Sequence, residues 1–280
     1  IEVARSDCGI FIYQRKYTLD LLDGIGMLGC GPQNSLIEVN YQFCSWKTKD
    51  SAKEVDHHFC DEGADPFDKE RYQRLVGILI YLSHTGLIFA YSLSVVSQFM
   101  HNPRGLHLEA VYQILRYFKS APGKGILFSR HGHLKFETYT DADWADSKVN
   151  RRSTSEYCSF MGGNLVTWRS KKQTVVSRSS AEAKYRARVQ GVCELIWLKR
   201  LLKDLGIRHE HSMRLYCDNK AVINIANNPI QHDKTKPIKI DRYFIREKLD
   251  QNIICIPFME SKNQLVDILT KTLSSTGFIL

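Results

Sequence analysis

The fold of this chain is decided by the stretch Leu134-Lys135-Phe136-Glu137-Thr138-Tyr139-Thr140-Asp141-Ala142-Asp143. Along most of this stretch, charged residues alternate with apolar or small ones in a two-residue period, which is typical of a β-strand in a sheet. The same period places Asp141 and Asp143 on one face near the end of the strand. Acidic residues are also common where a strand passes into a turn, so this position alone does not decide their role.

The sequence after this strand predicts an α/β domain. Two further strands, Glu156–Met161 and Asn164–Ser170, are joined by the tight turn Gly162-Gly163. The remaining predicted elements are a long helix Ser180–Leu205 closed by Gly206, a strand Met213–Asp218, a short helix Lys220–Asn227, a helix Asp241–Leu249, a strand Ile253–Phe258 and a last helix from Lys262. Hairpin-linked strands followed by alternating helices and strands predict a mixed five-stranded sheet flanked by helices.

The sequence before residue 131 has a different pattern. Residues 1–45 contain a short β-rich run and the start of a helix, and residues 46–70 are charged and irregular, which predicts a linker. Residues 71–130 have apolar positions at helical spacing and predict three helices. A smaller, mainly helical region therefore precedes the α/β domain of residues 131–280.

Composition narrows the class of partner. The 280 residues carry a net charge of +9 and include no apolar run long enough to span a membrane, so neither a membrane partner nor secretion is predicted. The positive charge favours a polyanion such as nucleic acid, with basic solubility as the alternative. Because the chain does not begin with methionine, we treat it as part of a longer polypeptide.

Cysteine usage predicts no disulfide framework. The eight cysteines are scattered without a C-x-x-C pair, which indicates reduced residues. The cluster His57-His58-Phe59-Cys60 lacks a second ligand pair at zinc-finger spacing, so a polar loop is its simpler interpretation.

Four acidic residues lie near a strand end, at a helix start, at a second strand end and inside the last predicted helix. Each has a local explanation: a turn for Asp141, a favourable helix dipole for Glu182, a helix N-cap for Asp218 and a salt bridge to Lys271 for Asp267. As a set they predict a magnesium site, because Mg²⁺ prefers carboxylate oxygens. Clustered carboxylates are costly unless cations neutralise them, which supports the same interpretation.

Sequence motifs around these acids closely resemble the RNase H domain of copia-type retrotransposon polyproteins. The motifs are Tyr139-Thr140-Asp141-Ala142-Asp143-Trp144-Ala145, Arg151-Arg152-Ser153-Thr154-Ser155, Ser177-Arg178-Ser179-Ser180-Ala181-Glu182-Ala183, Tyr216-Cys217-Asp218-Asn219-Lys220 and Asn263-Gln264-Leu265-Val266-Asp267-Ile268-Leu269-Thr270-Lys271. Upstream, three motifs resemble the end of the same family's reverse transcriptase and its connection region, namely Gln14-Arg15-Lys16-Tyr17-Thr18-Leu19-Asp20-Leu21-Leu22, Tyr72-Gln73-Arg74-Leu75-Val76-Gly77 and Leu115-Arg116-Tyr117-Phe118-Lys119.

The resemblance implies an RNase H-like fold and a nuclease that cleaves the RNA strand of RNA–DNA hybrids. It implies that two Mg²⁺ or Mn²⁺ ions are held by the catalytic carboxylates Asp141, Glu182, Asp218 and Asp267. Residues beside the acids are candidates for holding phosphate or sugar, with solvated surface as the alternative: Arg178, Ser179, Asn219 and Lys220. Further implied partners are the palm and fingers of a reverse transcriptase, in a cytoplasmic replication particle.

Several positions depart from the family pattern. No Tyr-x-Asp-Asp motif is present, so we predict no DNA synthesis. Gly86-Leu87-Ile88 stands in place of a usual Arg-Pro-Asp, Glu156 in place of a glycine, Lys184 in place of an acid and Pro237 in place of a histidine. Lys184 is expected to weaken metal binding by charge repulsion, and Pro237 to disturb a helix start. Two functions therefore stay open, an active nuclease and a non-catalytic remnant that at most binds nucleic acid.

Overall fold

The computed structural model describes residues 1–32, 68–86, 89–146, 150–218 and 236–266. The elements before residue 131 are β1 (Glu2–Ser6), β2 (Gly9–Tyr13), α1 (Arg15–Gly24), α2 (Lys69–Leu82), α3 (Ala90–Ser97), α4 (Gly105–Ser120) and β3 (Gly125–Ser129). The three helices predicted for residues 71–130 are thus α2, α3 and α4. A smaller, mainly helical region does precede the α/β domain, as predicted.

This first region has its own hydrophobic core. Leu22 of α1 is buried in the same cluster as Leu79 of α2 and Ile114 of α4, so the core joins residues from the predicted segments 1–45 and 71–130. The hydroxyl of Tyr72 donates to the carbonyl of Val96 at 2.6 Å and ties α2 to α3. Strand β3 pairs antiparallel with β2, which completes a three-stranded sheet in the order β1-β2-β3.

The second region is the RNase H-like domain that the resemblance predicts. Its elements are β4 (Phe136–Asp143), β5 (Thr154–Met161), β6 (Asn164–Lys172), α5 (Ser180–Asp204), β7 (Met213–Tyr216), α6 (Lys236–Asp250) and β8 (Ile254–Cys255). They form a five-stranded sheet in the order β6-β5-β4-β7-β8. The pairs β4-β5 and β5-β6 are antiparallel, whereas β4-β7 and β7-β8 are parallel.

Glycines fix two boundaries of this domain where the sequence predicted them. Gly162 and Gly163 have φ angles of 58° and 77°, the left-handed conformation that a two-residue hairpin turn between β5 and β6 requires. Gly206 has a φ angle of 77° just after α5, as expected of a residue that ends a helix.

Helix α5 lies close against the sheet. A Cβ atom at Gly191 would come within 2.5 Å of Cγ2 of Thr140 and 3.4 Å of Cγ2 of Thr138, so glycine is needed for this approach. The contact sets the rotation of α5 about its axis. It thereby determines which residues of the first helical turns face the end of β4.

Several elements differ from the prediction or lie beyond the described residues. Strand β8 is only two residues long. Pro237 lies in the first turn of α6, where its missing N–H has no intrahelical partner to lose. Ser261–Asn263 form a 3₁₀ turn where the last helix was predicted to begin. The part of that predicted helix from residue 267 on, and the predicted helix Lys220–Asn227, lie outside the described residues.

In the described part of the chain, no helix is both long enough and apolar enough to cross a membrane.

Candidate functional site

The parallel pairing of β4 with β7 brings two of the predicted acids together. Tyr139 is the register partner of Tyr216, and Asp141 and Asp218 each lie two residues further along their chains. The carboxyl ends of parallel neighbours meet at one edge of a sheet, so both side chains belong to the same edge. Their side chains are mostly buried, at 14% exposure for Asp141 and 10% for Asp218.

A lysine ammonium group lies between these two aspartates. Nζ of Lys184 is 2.8 Å from Oδ1 of Asp141, and it lies 2.9 Å from Oδ1 and 2.8 Å from Oδ2 of Asp218. The hydroxyl of Ser261 donates a further hydrogen bond to Oδ2 of Asp218 at 3.2 Å. Two carboxylates are therefore held together by one cation that the chain itself supplies.

The pKa shifts agree with this arrangement. Burial raises the pKa of Asp141 above its ordinary value, and the charge of Asp218 adds to the rise while Lys184 opposes it. Burial alone would lower the pKa of Lys184, but its hydrogen bonds to Asp141 and Asp218 outweigh burial and raise that pKa overall. Lys184 is thus held in its charged form by the carboxylates that surround it.

The third predicted acid, Glu182, has other partners. Its Oε2 accepts a hydrogen bond from the backbone N–H of Arg178 at 2.8 Å, and its Oε1 accepts one from Arg186 at 3.0 Å. Its own backbone N–H donates to Oγ of Ser179, the N-cap of α5, at 3.2 Å. These bonds resemble a capping box, so the Glu182 carboxylate is engaged in capping the N-terminus of α5. Two residues apart on a helix, Glu182 and Lys184 point about 200° apart.

The other predicted site residues divide into two groups. Ser179 and Arg178 lie at the start of α5; the Ser179 hydroxyl is engaged in capping, and Arg178 is exposed. Three predicted site residues lie outside the described part of the chain, so their roles stay predictions: Asn219, Lys220 and Asp267.

The described residues do not fit a divalent cation at this edge. Among them, no group of three or more His, Cys, Asp or Glu side chains is placed to hold a metal ion. Mg²⁺ requires oxygen ligands at about 2.0–2.1 Å, whereas the space between Asp141 and Asp218 holds the ammonium of Lys184. A second cation beside that ammonium would be repelled by it.

The structure also reveals two buried ionisable residues whose burial the sequence did not predict, Arg188 and Glu156. Arg188 of α5 is fully buried; its Nη2 contacts Sγ of Cys217, while Nε and Nη1 have no hydrogen-bond partner among the described residues. Its position three residues after Tyr185 and four before Val192, both buried, is the sequence signal that could have revealed it.

The second is Glu156, the register partner of Asp141 on β5. It is 1% exposed, and its Oε1 accepts a hydrogen bond from Ser170 at 2.7 Å, while Oε2 has no hydrogen-bond partner in the part of the chain that the structure describes. Burial raises the pKa of Glu156 to about 9, and the charges of Asp143 and Asp141 contribute to the rise. Glu156 is therefore protonated at neutral pH.

Comparison with known proteins gives the family. The chain is 34% identical over 278 residues to the retrovirus-related Pol polyprotein from transposon RE1 of Arabidopsis thaliana, a match that spans 99% of this chain and 18% of that protein. It is 35% identical over 213 residues to the corresponding polyprotein from transposon TNT 1-94 of Nicotiana tabacum, covering 76% of this chain and 16% of that one. This chain belongs to the copia-type retrotransposon Pol polyproteins.

The resemblance seen in the motifs is thereby confirmed, and the copia-type Pol segment spans about a fifth of the length of the curated relatives it matches. No protein-family model matches it. Among solved structures, it is similar to the foamy viral protease-reverse transcriptase in complex with dsDNA, with a TM-score of 0.47, 10% identity, and coverage of 71% of this chain and 40% of that one. The family assignment rests on the sequence relatives.

Proposed function

We propose that the RNase H-type domain of this Pol segment binds RNA–DNA hybrid but does not cut it. The observation that carries the proposal is the position of Lys184, whose ammonium lies within 2.8 Å of both Asp141 and Asp218. Of the two functions that the sequence leaves open, this geometry favours the non-catalytic one. The two Mg²⁺ or Mn²⁺ ions that the resemblance implies do not fit beside this ammonium.

Charge on the same edge of the sheet supports binding. Arg151 and Arg152 are exposed just before β5, and Lys171 is exposed on β6 as the register partner of Ser155. With the exposed Arg178 at the start of α5, these cations lie at the end of the sheet where Asp141 and Asp218 meet. Lys and Arg side chains on such a surface neutralise phosphates and position a nucleic acid without reading its sequence.

The ammonium also changes what the two aspartates offer a substrate. Without Lys184, two adjacent carboxylates would repel a phosphate backbone, whereas the Lys184 ion pairs neutralise much of that negative charge. The same substitution that excludes a divalent cation therefore leaves a surface on which a phosphodiester backbone is better tolerated. Binding and hydrolysis are predicted to separate in this protein.

The test is a gel-shift and cleavage assay on one labelled RNA–DNA hybrid. We expect a shifted complex in EDTA, and no new RNA product after addition of Mg²⁺ or Mn²⁺. The variant Arg152→Ala/Arg178→Ala should weaken the complex, while Arg5→Ala/Lys69→Ala, which removes equal charge from exposed positions elsewhere, should not.

Two outcomes would contradict the proposal. A metal-dependent RNA product from the wild type that disappears in Asp141→Asn would establish the active nuclease. A wild type that fails to shift the hybrid at low salt would remove the binding function.

A further inference from the structure

A groove beside the C-terminal half of α5 is separate from the paired aspartates. It lies between the second half of α5, the segment after it and α6, and it has a volume of about 870 Å³. Lys199, on its wall, follows Lys184 by fifteen residues of one helix, which places it about 22 Å along the helix axis at 1.5 Å per residue. This groove is a second surface, distinct from the site described above.

The charge of the groove is strongly positive. Four of its lining residues are cations that make no ion pair with a described residue, namely Lys199, Arg200, Lys203 and Arg208. A fifth cation, Lys248, is paired with Glu247 at 2.7 Å, and Glu210 is the one acid among the lining residues described. Such a surplus of unpaired cations in a concave surface favours a polyanion with closely spaced charges.

The groove also presents aromatic rings. The Trp197 side chain is 51% exposed although it belongs to a long helix that packs on the sheet, and Phe244 of α6 lines the opposite wall. The Lys248 ammonium lies 5.7 Å from the centroid of the Phe244 ring, within the range of a cation–π interaction. Contact between the apolar indole and water is unfavourable, and a ligand that covered the ring would remove this cost.

We infer that this groove binds a single-stranded nucleic acid, with bases stacked on Trp197 and phosphates on the cations of α5. Cations that follow a backbone, combined with aromatic rings that accept bases, are the features with which proteins bind single strands without sequence preference. A duplex would offer phosphates to Arg200 and Lys203, but its bases are stacked on one another, so Trp197 would find no free face. The inference goes beyond hybrid binding at the sheet edge and does not depend on it.

The experiment measures the fluorescence anisotropy of a fluorescein-labelled oligothymidylate titrated with the whole chain. Charge reversal in Arg200→Glu/Lys203→Glu/Arg208→Glu should weaken binding by at least about tenfold and reduce the slope of log K against log salt by about 2, since about 0.7 counterions are released per phosphate contact. The matched control Arg5→Glu/Lys69→Glu/Arg130→Glu makes the same change of net charge at exposed positions outside the groove and should bind within about threefold of wild type.

A second pair of variants tests the stacking. Trp197→Ala should weaken binding by about tenfold, as expected for a lost base–aromatic contact, and Trp197→Phe should restore most of it. Tyr243→Ala, which removes an exposed ring of α6 outside the groove, should have no effect. Circular dichroism melting of each variant separates a binding defect from a folding defect.

Three results would overturn the inference. The first is a wild type that does not bind the oligothymidylate. The second is binding that the groove variants leave unchanged. The third is binding in which only a labelled duplex depends on the α5 cations and Trp197→Ala has no effect, which would replace the single strand by a duplex. Hybrid gel shifts on the same variants show independently whether the proposed function stands.

Discussion

Lys184 donates hydrogen bonds to both carboxylate oxygens of Asp218, at 2.9 Å to Oδ1 and 2.8 Å to Oδ2. The same nitrogen lies 2.8 Å from Oδ1 of Asp141. A protonated amine has three N–H donors, and three carboxylate oxygens lie within their reach. The pair of aspartates therefore has a counter-ion that the chain itself supplies. In a site where a third acid replaces the lysine, a metal ion would take this role.

Replacing this counter-ion by an acid is the first prediction. Lys184→Glu should create a group of three carboxylates that binds Mn²⁺ or Mg²⁺, because hard oxygen ligands then replace a repelling cation. In EDTA the variant should melt at a lower temperature than wild type, since three carboxylates now lie together. Saturating Mn²⁺ should raise its melting temperature. At a Mn²⁺ concentration of a hundred times the dissociation constant, binding should add about 2.7 kcal/mol to the free energy of unfolding.

Two controls make this result specific. Lys184→Gln removes the charge without adding an acid and should show no more than a small response to Mn²⁺. Adding Asp141→Asn to Lys184→Glu should abolish the response. A wild type that responds to Mn²⁺ as strongly as Lys184→Glu would show that the lysine does not exclude the ion.

The second prediction concerns the stability that the ion pairs contribute. Lys184→Met keeps most of the side-chain volume but leaves two mostly buried carboxylates without a cation, so it should destabilise the fold by about 2–4 kcal/mol. Adding Asp141→Asn and Asp218→Asn should recover much of the loss, because the uncompensated charges are then gone. Urea unfolding followed by circular dichroism measures both; equal stability of Lys184→Met and wild type would contradict the ion pairs.

Much of the fold was accessible from the sequence because its signals are local. Alternation of residue types defined β4, and Gly162-Gly163 defined the hairpin after β5. The pairing of β3 with β2 was not predicted, since nothing in two short strands specifies a partner more than a hundred residues away. Helical periodicity in α2 and α4 was sufficient to place both helices.

The candidate site was accessible only in part, for a tertiary reason. The sequence grouped Asp141 and Asp218 in one set of acids, and the parallel pairing of β4 with β7 brings these two together. The choice between Glu182 and Lys184 depends on how α5 is rotated against the sheet, and the close approach of Gly191 to Thr140 sets that rotation. Helical periodicity alone could not show this, because residues on several neighbouring faces of α5 are buried.

The third prediction is that a buried charge in α5 destabilises the protein. Burial of the Arg188 guanidinium carries a large desolvation cost that few contacts offset. Among the described residues, Nε and Nη1 have no hydrogen-bond partner and no carboxylate forms an ion pair with Arg188. Arg188→Leu should therefore raise stability by about 1–4 kcal/mol. Arg200→Leu, an exposed change on the same helix, should stay within about 0.5 kcal/mol. Chemical denaturation measures both, and a destabilised Arg188→Leu would refute the prediction.

The fourth prediction concerns pH and Glu156. The pKa of this buried carboxyl is about 9 in the folded chain and about 4.5 when it is unperturbed. Between these values the unfolded chain has released the proton and the folded chain still holds it. The unfolded state therefore binds fewer protons, and stability falls as pH rises, by up to about 1.4 kcal/mol per pH unit from this group.

Glu156→Gln should remove that dependence, because its amide oxygen can accept the Ser170 hydrogen bond at every pH. Near pH 4.5 the variant and wild type should unfold at similar denaturant concentrations, and near pH 8 the variant should be more stable by on the order of 2–4 kcal/mol. Glu210→Gln, at an exposed position, serves as the control and should follow the wild-type pH curve. Parallel pH curves for wild type and Glu156→Gln would mean that Glu156 ionises normally. The conclusion that Glu156 is protonated at neutral pH would then be wrong.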